Sequence, residues 1–168
     1  GDSLLFWLSK DATDAVTDVA GTWTKLLEGT ANTFHGILYY KVAASEPASY
    51  TFNFASTWRD CVMLRYTGAI AGENALDPDT PPAIVEQGSV TSLASNNDVT
   101  TTADTVGIAF ANQKAIISWG AAPGSWVARQ NAAGNEVYVI DLVVASGTIT
   151  GPTMSTAGGT PAGGMKAC

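Results

Sequence analysis

The sequence predicts an all-β chain: an antiparallel β-sandwich, jelly-roll-like, of about ten short strands. Three observations predict it. Residues 36–66 alternate apolar and polar side chains in successive stretches, broken at Glu46-Pro47 and closed by Gly68, and a period of two marks strands with one buried face. No segment sustains a helical period, and residues 11–20 have room for one helical turn at most. Turn signals recur between the apolar stretches, at Asn112-Gln113, Pro123-Gly124, Ala133-Gly134-Asn135 and Ser146-Gly147. A closed barrel is the alternative architecture.

Each element has its own warrant. Ser3 to Ser9 is a continuous apolar strand, and Lys10 to Gly21 reads as a polar loop. Thr22 to Leu27 is a short strand carrying Trp23. Phe34 to Ala43 is rich in aromatic and β-branched residues, which suit a pleated surface. Pro47 stops it, because proline cannot donate to a ladder. Ser49 to Phe54 places Tyr50, Phe52 and Phe54 on one face, and Ser56 to Asp60 turns the chain. Cys61 to Thr67 returns with Val62, Leu64 and Tyr66 on one face and Met63 and Arg65 on the other.

Residues 69–88 form a long acidic, proline-containing loop, with Ala69 to Gln87 irregular throughout. One or two short edge strands fall between Ser89 and Thr105. Further strands are expected over Thr105 to Ala111, Ala115 to Trp119, Trp126 to Gln130, Glu136 to Ala145 and Thr148 to Ser155. The Gly-rich segment 157–168 ends in a last short strand. The 168 residues read as one domain, with no internal repeat.

Composition narrows the function. Only 14% of residues are charged, against about 25% in an ordinary soluble protein. Thr, Ser, Asn and Gly must supply the polar surface, a profile shared with extracellular and virion β-proteins. Net charge is −7, and the 8 Lys and Arg are scattered. No basic patch exists to release counterions from a phosphate backbone or to dock on an anionic membrane, so no nucleic acid is expected as partner. No stretch nears the ~18 apolar residues of a spanning helix, so no membrane insertion is expected. Leu4 to Leu8 lacks the basic flank of a signal peptide and reads as a buried strand.

The order of several short motifs adds a resemblance. Gly1-Asp2, Gly21-Thr22-Trp23-Thr24, Tyr39 to Ala43, Glu46-Pro47-Ala48-Ser49-Tyr50-Thr51-Phe52 and Tyr66-Thr67-Gly68 follow one another. Pro123-Gly124-Ser125-Trp126 and the strand through Val139-Ile140-Asp141 come later. The series resembles β-sandwich domains of tailed-phage virion proteins and secreted bacterial surface proteins, over nearly the whole chain. The resemblance implies a structural or adhesive module with no catalytic signature to carry over. It also implies a virion or extracellular setting. In that group a further strand precedes the Gly-Asp. The strand after Gly1 is therefore expected to present an open edge, which strand addition from a neighbour would cover.

Candidate chemistry is sparse. His35 is the only histidine, so any nucleophile–histidine system would have to use it, and a structural role fits it better. No nucleophile elbow, P-loop or dinucleotide fingerprint occurs. A glycosidase needs only two carboxylates ~5 to ~9.5 Å apart, and Glu46, Glu73, Glu86, Glu136 and Asp141 are the available ones. Glu46 before Pro47 suits bonding to turn amides. Asp141 lies in an apolar strand and, if inward, needs Arg65 or Arg129.

Glu73, Asn74, Asp77 and Asp79 make the densest oxygen cluster, a candidate calcium site or simply a solvated loop. Trp7 and Trp23 read as core. Trp58, Trp119 and Trp126 sit in or beside turns, where they either form a glycan-stacking platform or close the sandwich. Cys61 opens a strand and Cys168 ends the chain. They pair as a disulfide if their strands are adjacent, within ~7 Å between Cα atoms; otherwise one thiol is buried and the other terminal. The expected function is therefore non-enzymatic packing in a homo-oligomer or against other virion or surface proteins. The alternative is a carbohydrate-binding module that holds a host-surface glycan through loop tryptophans, with calcium as its candidate ion.

Overall fold

The computed structural model describes residues 2–11, 15–18, 22–31, 34–55, 59–68, 84–87, 91–94, 99–101, 105–113, 118–130, 137–157 and 164–167. No helix occurs among them. The first half supplies β1 (Asp2–Lys10), β2 (Thr17–Asp18), β3 (Thr24–Ala31), β4 (Phe34–Ala43), β5 (Phe52–Asn53) and β6 (Arg59–Tyr66). The second supplies β7 (Ile84–Gln87), β8 (Ser92–Ala94), β9 (Val99–Thr101), β10 (Thr105–Gln113), β11 (Val127–Gln130), β12 (Val137–Val144), β13 (Gly147–Ile149), β14 (Thr153–Ser155) and β15 (Gly164–Ala167).

Two large antiparallel sheets result. The first has the order β3-β4-β1-β6 and the second β11-β12-β10-β15-β7. Small ribbons β2/β5, β8/β14 and β9/β13 flank them. Both large sheets feed one core. Leu5, Trp7, Leu38 and Tyr40 come from the first, and Phe110, Val137 and Val139 from the second. The rings of Trp7 and Phe110 stack with centroids 5.6 Å apart. Beside them the Asn112 amide donates to Ser9 Oγ at 2.5 Å. Towards one edge, the Val137 amide donates to Asp60 Oδ2 at 3.1 Å. Thus β1 lies against β10, and β6 against β12.

The long apolar runs have a simple cause. Strands buried on both faces lose their alternation. Phe6, Leu8, Ile37 and Tyr39 occupy the other face of the first sheet, under Val16, Trp23, Phe52 and Phe54. Tyr138, Ile140, Ala109 and Ala111 occupy the other face of the second, under Leu93, Trp119 and Met154. Each large aliphatic or aromatic side chain so buried contributes about 1.5–3 kcal/mol. By contrast β6 keeps its alternation. Val62, Leu64 and Tyr66 pack on the shared core, while Cys61, Met63 and Arg65 stand exposed.

Several expectations need correction. The N-terminal strand has no open edge: β1 pairs with β4 along one side and β6 along the other. It continues through Lys10, which is buried rather than in a loop. Residues 49–54 yield only the two-residue β5, because their aromatics serve as a lid: Tyr50 meets the Trp23 ring edge-on at 5.1 Å. Arg59 and Asp60 open β6 instead of lying in a turn. Residues 84–87, expected to be irregular, form β7 by pairing with β15. The stretch Thr148 to Ser155 splits into β13 and β14 around Pro152, which cannot donate to a ladder.

Candidate functional site

The most unusual side chain in the second sheet is Asp141, an acid only 1% exposed in an apolar strand. It shares a face of β12 with Val137 and Val139, so it points towards the first sheet. At its level β6 ends, and Tyr66 hangs over it. The Tyr66 hydroxyl donates to Asp141 Oδ2 at 3.0 Å. Arg129 Nε donates to the same oxygen at 2.7 Å.

A bulge brings Arg129 there. Val127 pairs with Asp141 and Ala128 with Ile140, but Gln130 pairs with Val139. Arg129 is the extra residue, and such insertions re-aim a side chain. Asp141 Oδ1 meanwhile has no hydrogen-bond partner among the described residues. An acceptor buried that way costs about 1–3 kcal/mol unless something donates to it.

Electrostatics follow the geometry. Burial, then the neighbouring Asp141 charge, pushes the Tyr66 hydroxyl far above the ordinary tyrosine range. The hydrogen bond to Asp141 raises Arg129 further, so it stays charged. A cleft of about 320 Å³ opens beside this group, lined by Leu64, Arg65, Tyr66, Thr67, Arg129 and Asp141. Arg65 does not serve Asp141. Its Nε donates to Asp2 Oδ2 at 2.8 Å, and its Nη2 bonds the same oxygen. Of the two arginines the sequence offered to Asp141, the structure uses Arg129.

Arg65 also borders a second cleft, of about 380 Å³, shared with Asp2, Leu4, Glu46 and Tyr50. Two carboxylates therefore face one space. Both are committed. Glu46 accepts from Lys41 Nζ at 2.7 Å and from the Ala44 amide at 2.5 Å, the turn role its sequence suggested. The Lys41 bond comes first in holding the Glu46 carboxyl below its ordinary value, and the Arg65 bond does the same for Asp2. A glycosidase acid needs the opposite shift.

The remaining candidates disperse. Trp119 is 4% exposed, its ring stacked on Tyr138 at 5.4 Å. Trp126 is partly buried against the same cluster. It sits where a Cβ on Gly107 would come within 3.2 Å of its ring. Neither ring forms an exposed platform. Trp58, Glu73, Asp77, Asp79 and Cys168 lie outside the described residues. Cys61 is an exposed free thiol rather than a buried one. Partial burial, then Asp60, pushes its pKa up. His35 is buried with Nε2 2.7 Å from Glu28 Oε1, a structural pairing. Among the described residues no three His, Cys, Asp or Glu side chains cluster as a metal site.

Sequence reasoning missed Tyr66 as a partner of Asp141. The available signal was its inward parity at the end of β6. No protein-family model, curated protein or solved structure matches the chain.

Proposed function

We propose that this chain is a two-sheet β-sandwich module whose work is packing against other proteins, in a homo-oligomer or a larger virion or cell-surface assembly. The shared core of the two sheets supports the sandwich. The chain completes the first sheet before it begins the second, whereas a jelly roll crosses between sheets strand by strand. A plain sandwich is therefore the simpler reading.

One observation carries the functional reading. Among the described residues, the exposed large apolar side chains are Met63, Val106, Val127 and Val143. Three of these gather on one end of the second sheet. Val106 pairs directly with Val143, and Val127 pairs with Asp141 two residues away on the same face. That face is the one turned towards the first sheet, at the level where β6 stops. Val143 is 67% exposed. Exposed apolar patches of this kind mark contact surfaces. The tryptophans support packing too, since Trp7, Trp119 and Trp126 serve cores. The lowered pKa values of Asp2 and Glu46 argue against a glycan-cleaving acid.

Light scattering across a dilution series tests the proposal. A persistent oligomer is expected, and Val143→Lys is expected to dissociate it without loss of folded signal. A monomer at every concentration, or an oligomer indifferent to Val143→Lys, would overturn the assignment of this patch.

A further inference from the structure

The geometry points to the Asp141 cleft as a binding site for a neutral, polyhydroxylated ligand, a sugar residue being the chemical class that fits. This site uses none of the tryptophans; it adjoins the Val127 and Val143 patch, and its test reads ligand binding rather than assembly.

Charge balance is the first argument. The cleft walls carry two arginines, each matched by a carboxylate: Arg129 by Asp141 and Arg65 by Asp2. The two pairs cancel, so the cleft holds strong hydrogen-bonding groups with no net charge. Such a lining gives a free anion or cation little advantage. A neutral ligand that both donates and accepts is the complement.

The unused valences are the second argument. Asp141 Oδ2 is taken, but Oδ1 accepts no hydrogen bond among the described residues. Arg129 commits Nε to the carboxylate, and its side chain is 47% exposed and lines the cleft, so it still has donors to offer. One acceptor and a row of donors lie side by side. Adjacent hydroxyls of a sugar satisfy both, one donating to Oδ1 and the next accepting from Arg129. Asp141 is 2% exposed at its side chain, so the proposal requires the exposed Arg129 side chain to shift for a hydroxyl to reach Oδ1.

Shape is the third. The volume of about 320 Å³ sits at the lower end of the ~300–1,000 Å³ of small-molecule sites, enough for one or two sugar rings. Leu64 and the Tyr66 ring offer apolar faces beside the polar groups. The outer edge of β6, which forms the rim at Leu64 to Thr67, has no ladder partner among the described residues.

The test is saturation-transfer NMR on the full chain with a panel of neutral mono- and disaccharides. Sodium sulfate, an anion, and glycine, a zwitterion, serve as competitors that bear ionic groups. Transfer to at least one saccharide is expected, with no displacement by sulfate or glycine. Arg129→Lys keeps the charge but loses the planar donor row, and is expected to weaken binding about tenfold. Thr67→Trp lies at an exposed turn on the rim and is expected to abolish binding by filling the mouth, with an unchanged melting curve. Absence of transfer to every saccharide at tens of millimolar overturns the proposal. So does binding that survives Thr67→Trp, or displacement by either competitor. Light scattering reads the packing role separately, so failure of one proposal leaves the other standing.

Discussion

The Arg129–Asp141 pair is lopsided: the carboxylate is 2% exposed and the guanidinium 47%. Removing either partner therefore has unequal consequences. Asp141→Asn leaves a neutral group in the interior and releases an arginine already half in water. Arg129→Ala leaves a buried anion with only the Tyr66 hydroxyl. We expect Arg129→Ala to cost about 1–3 kcal/mol, the penalty of an under-satisfied buried polar group, and Asp141→Asn to cost less. Urea denaturation of both variants checks the order, and the reverse order would sink this account of the pair. The need for a cation beside Asp141 was legible in the sequence, since an acid amid Val, Ile and Leu has few other solutions. Which arginine answers it was not. The choice depends on a one-residue slip in β11, and no spacing rule encodes a bulge between Ala128 and Gln130.

The long strands were plain from composition, because β1, β4, β10 and β12 carry the apolar side chains. The short ones were not. Phe52–Asn53 and Ile84–Gln87 are strands only because a partner is alongside, and pairing across the chain leaves no local pattern. Partner order was equally hidden. An apolar first strand looks like an edge awaiting a neighbour, yet it sits at the centre, between Leu38 and Val62 at the level of Trp7. That central place makes Trp7 the side chain on which both sheets depend. It is 0% exposed and stacked on Phe110. Trp7→Ala is expected to cost about 3–5 kcal/mol, as for large aromatic truncations in a core. Thermal denaturation checks this, and a loss under about 1 kcal/mol would mean the sheets do not share a core there. Gly107 makes a smaller contribution from the other face. Its missing Cβ lets Ile149 and Trp126 approach within 3.1 and 3.2 Å of where that atom would stand.

At the level of the whole molecule two electrostatic effects compete as pH falls. The net charge of −7 disperses when carboxylates take up protons, which eases self-repulsion. Against this, the carboxylates of Asp2, Glu28 and Glu46 are held below their ordinary values, chiefly by bonds from Arg65, Lys25 and Lys41 respectively. A folded-state pKa below the unfolded one gives stability above the unfolded value, and that stability is lost as pH drops through the folded one. Tyr66 works at the alkaline end: its pKa is raised, so its contribution is full below the ordinary tyrosine value of 10.0 and is lost progressively as pH rises from there through the raised value. The melting temperature is thus expected to hold or rise slightly from about pH 8 to 5, then fall below about pH 4 and above about pH 10. A melting temperature that climbs continuously down to pH 3 would show that repulsion, not pairing, governs this chain.

The division of the chain between its sheets has a temporal side as well. Every strand of the first sheet lies within residues 2–66, and every strand of the second within residues 84–167. During synthesis the first sheet can finish while its covering layer is still unmade. For that interval Leu5, Trp7, Leu38 and Tyr40 have nothing from the second half to rest against, and at about 5–20 residues per second the wait for β10 and β12 lasts several seconds. A nascent chain that pairs its first sheet in that interval would hold an apolar face open until the second half arrives, the kind of surface that makes folding intermediates prone to aggregate.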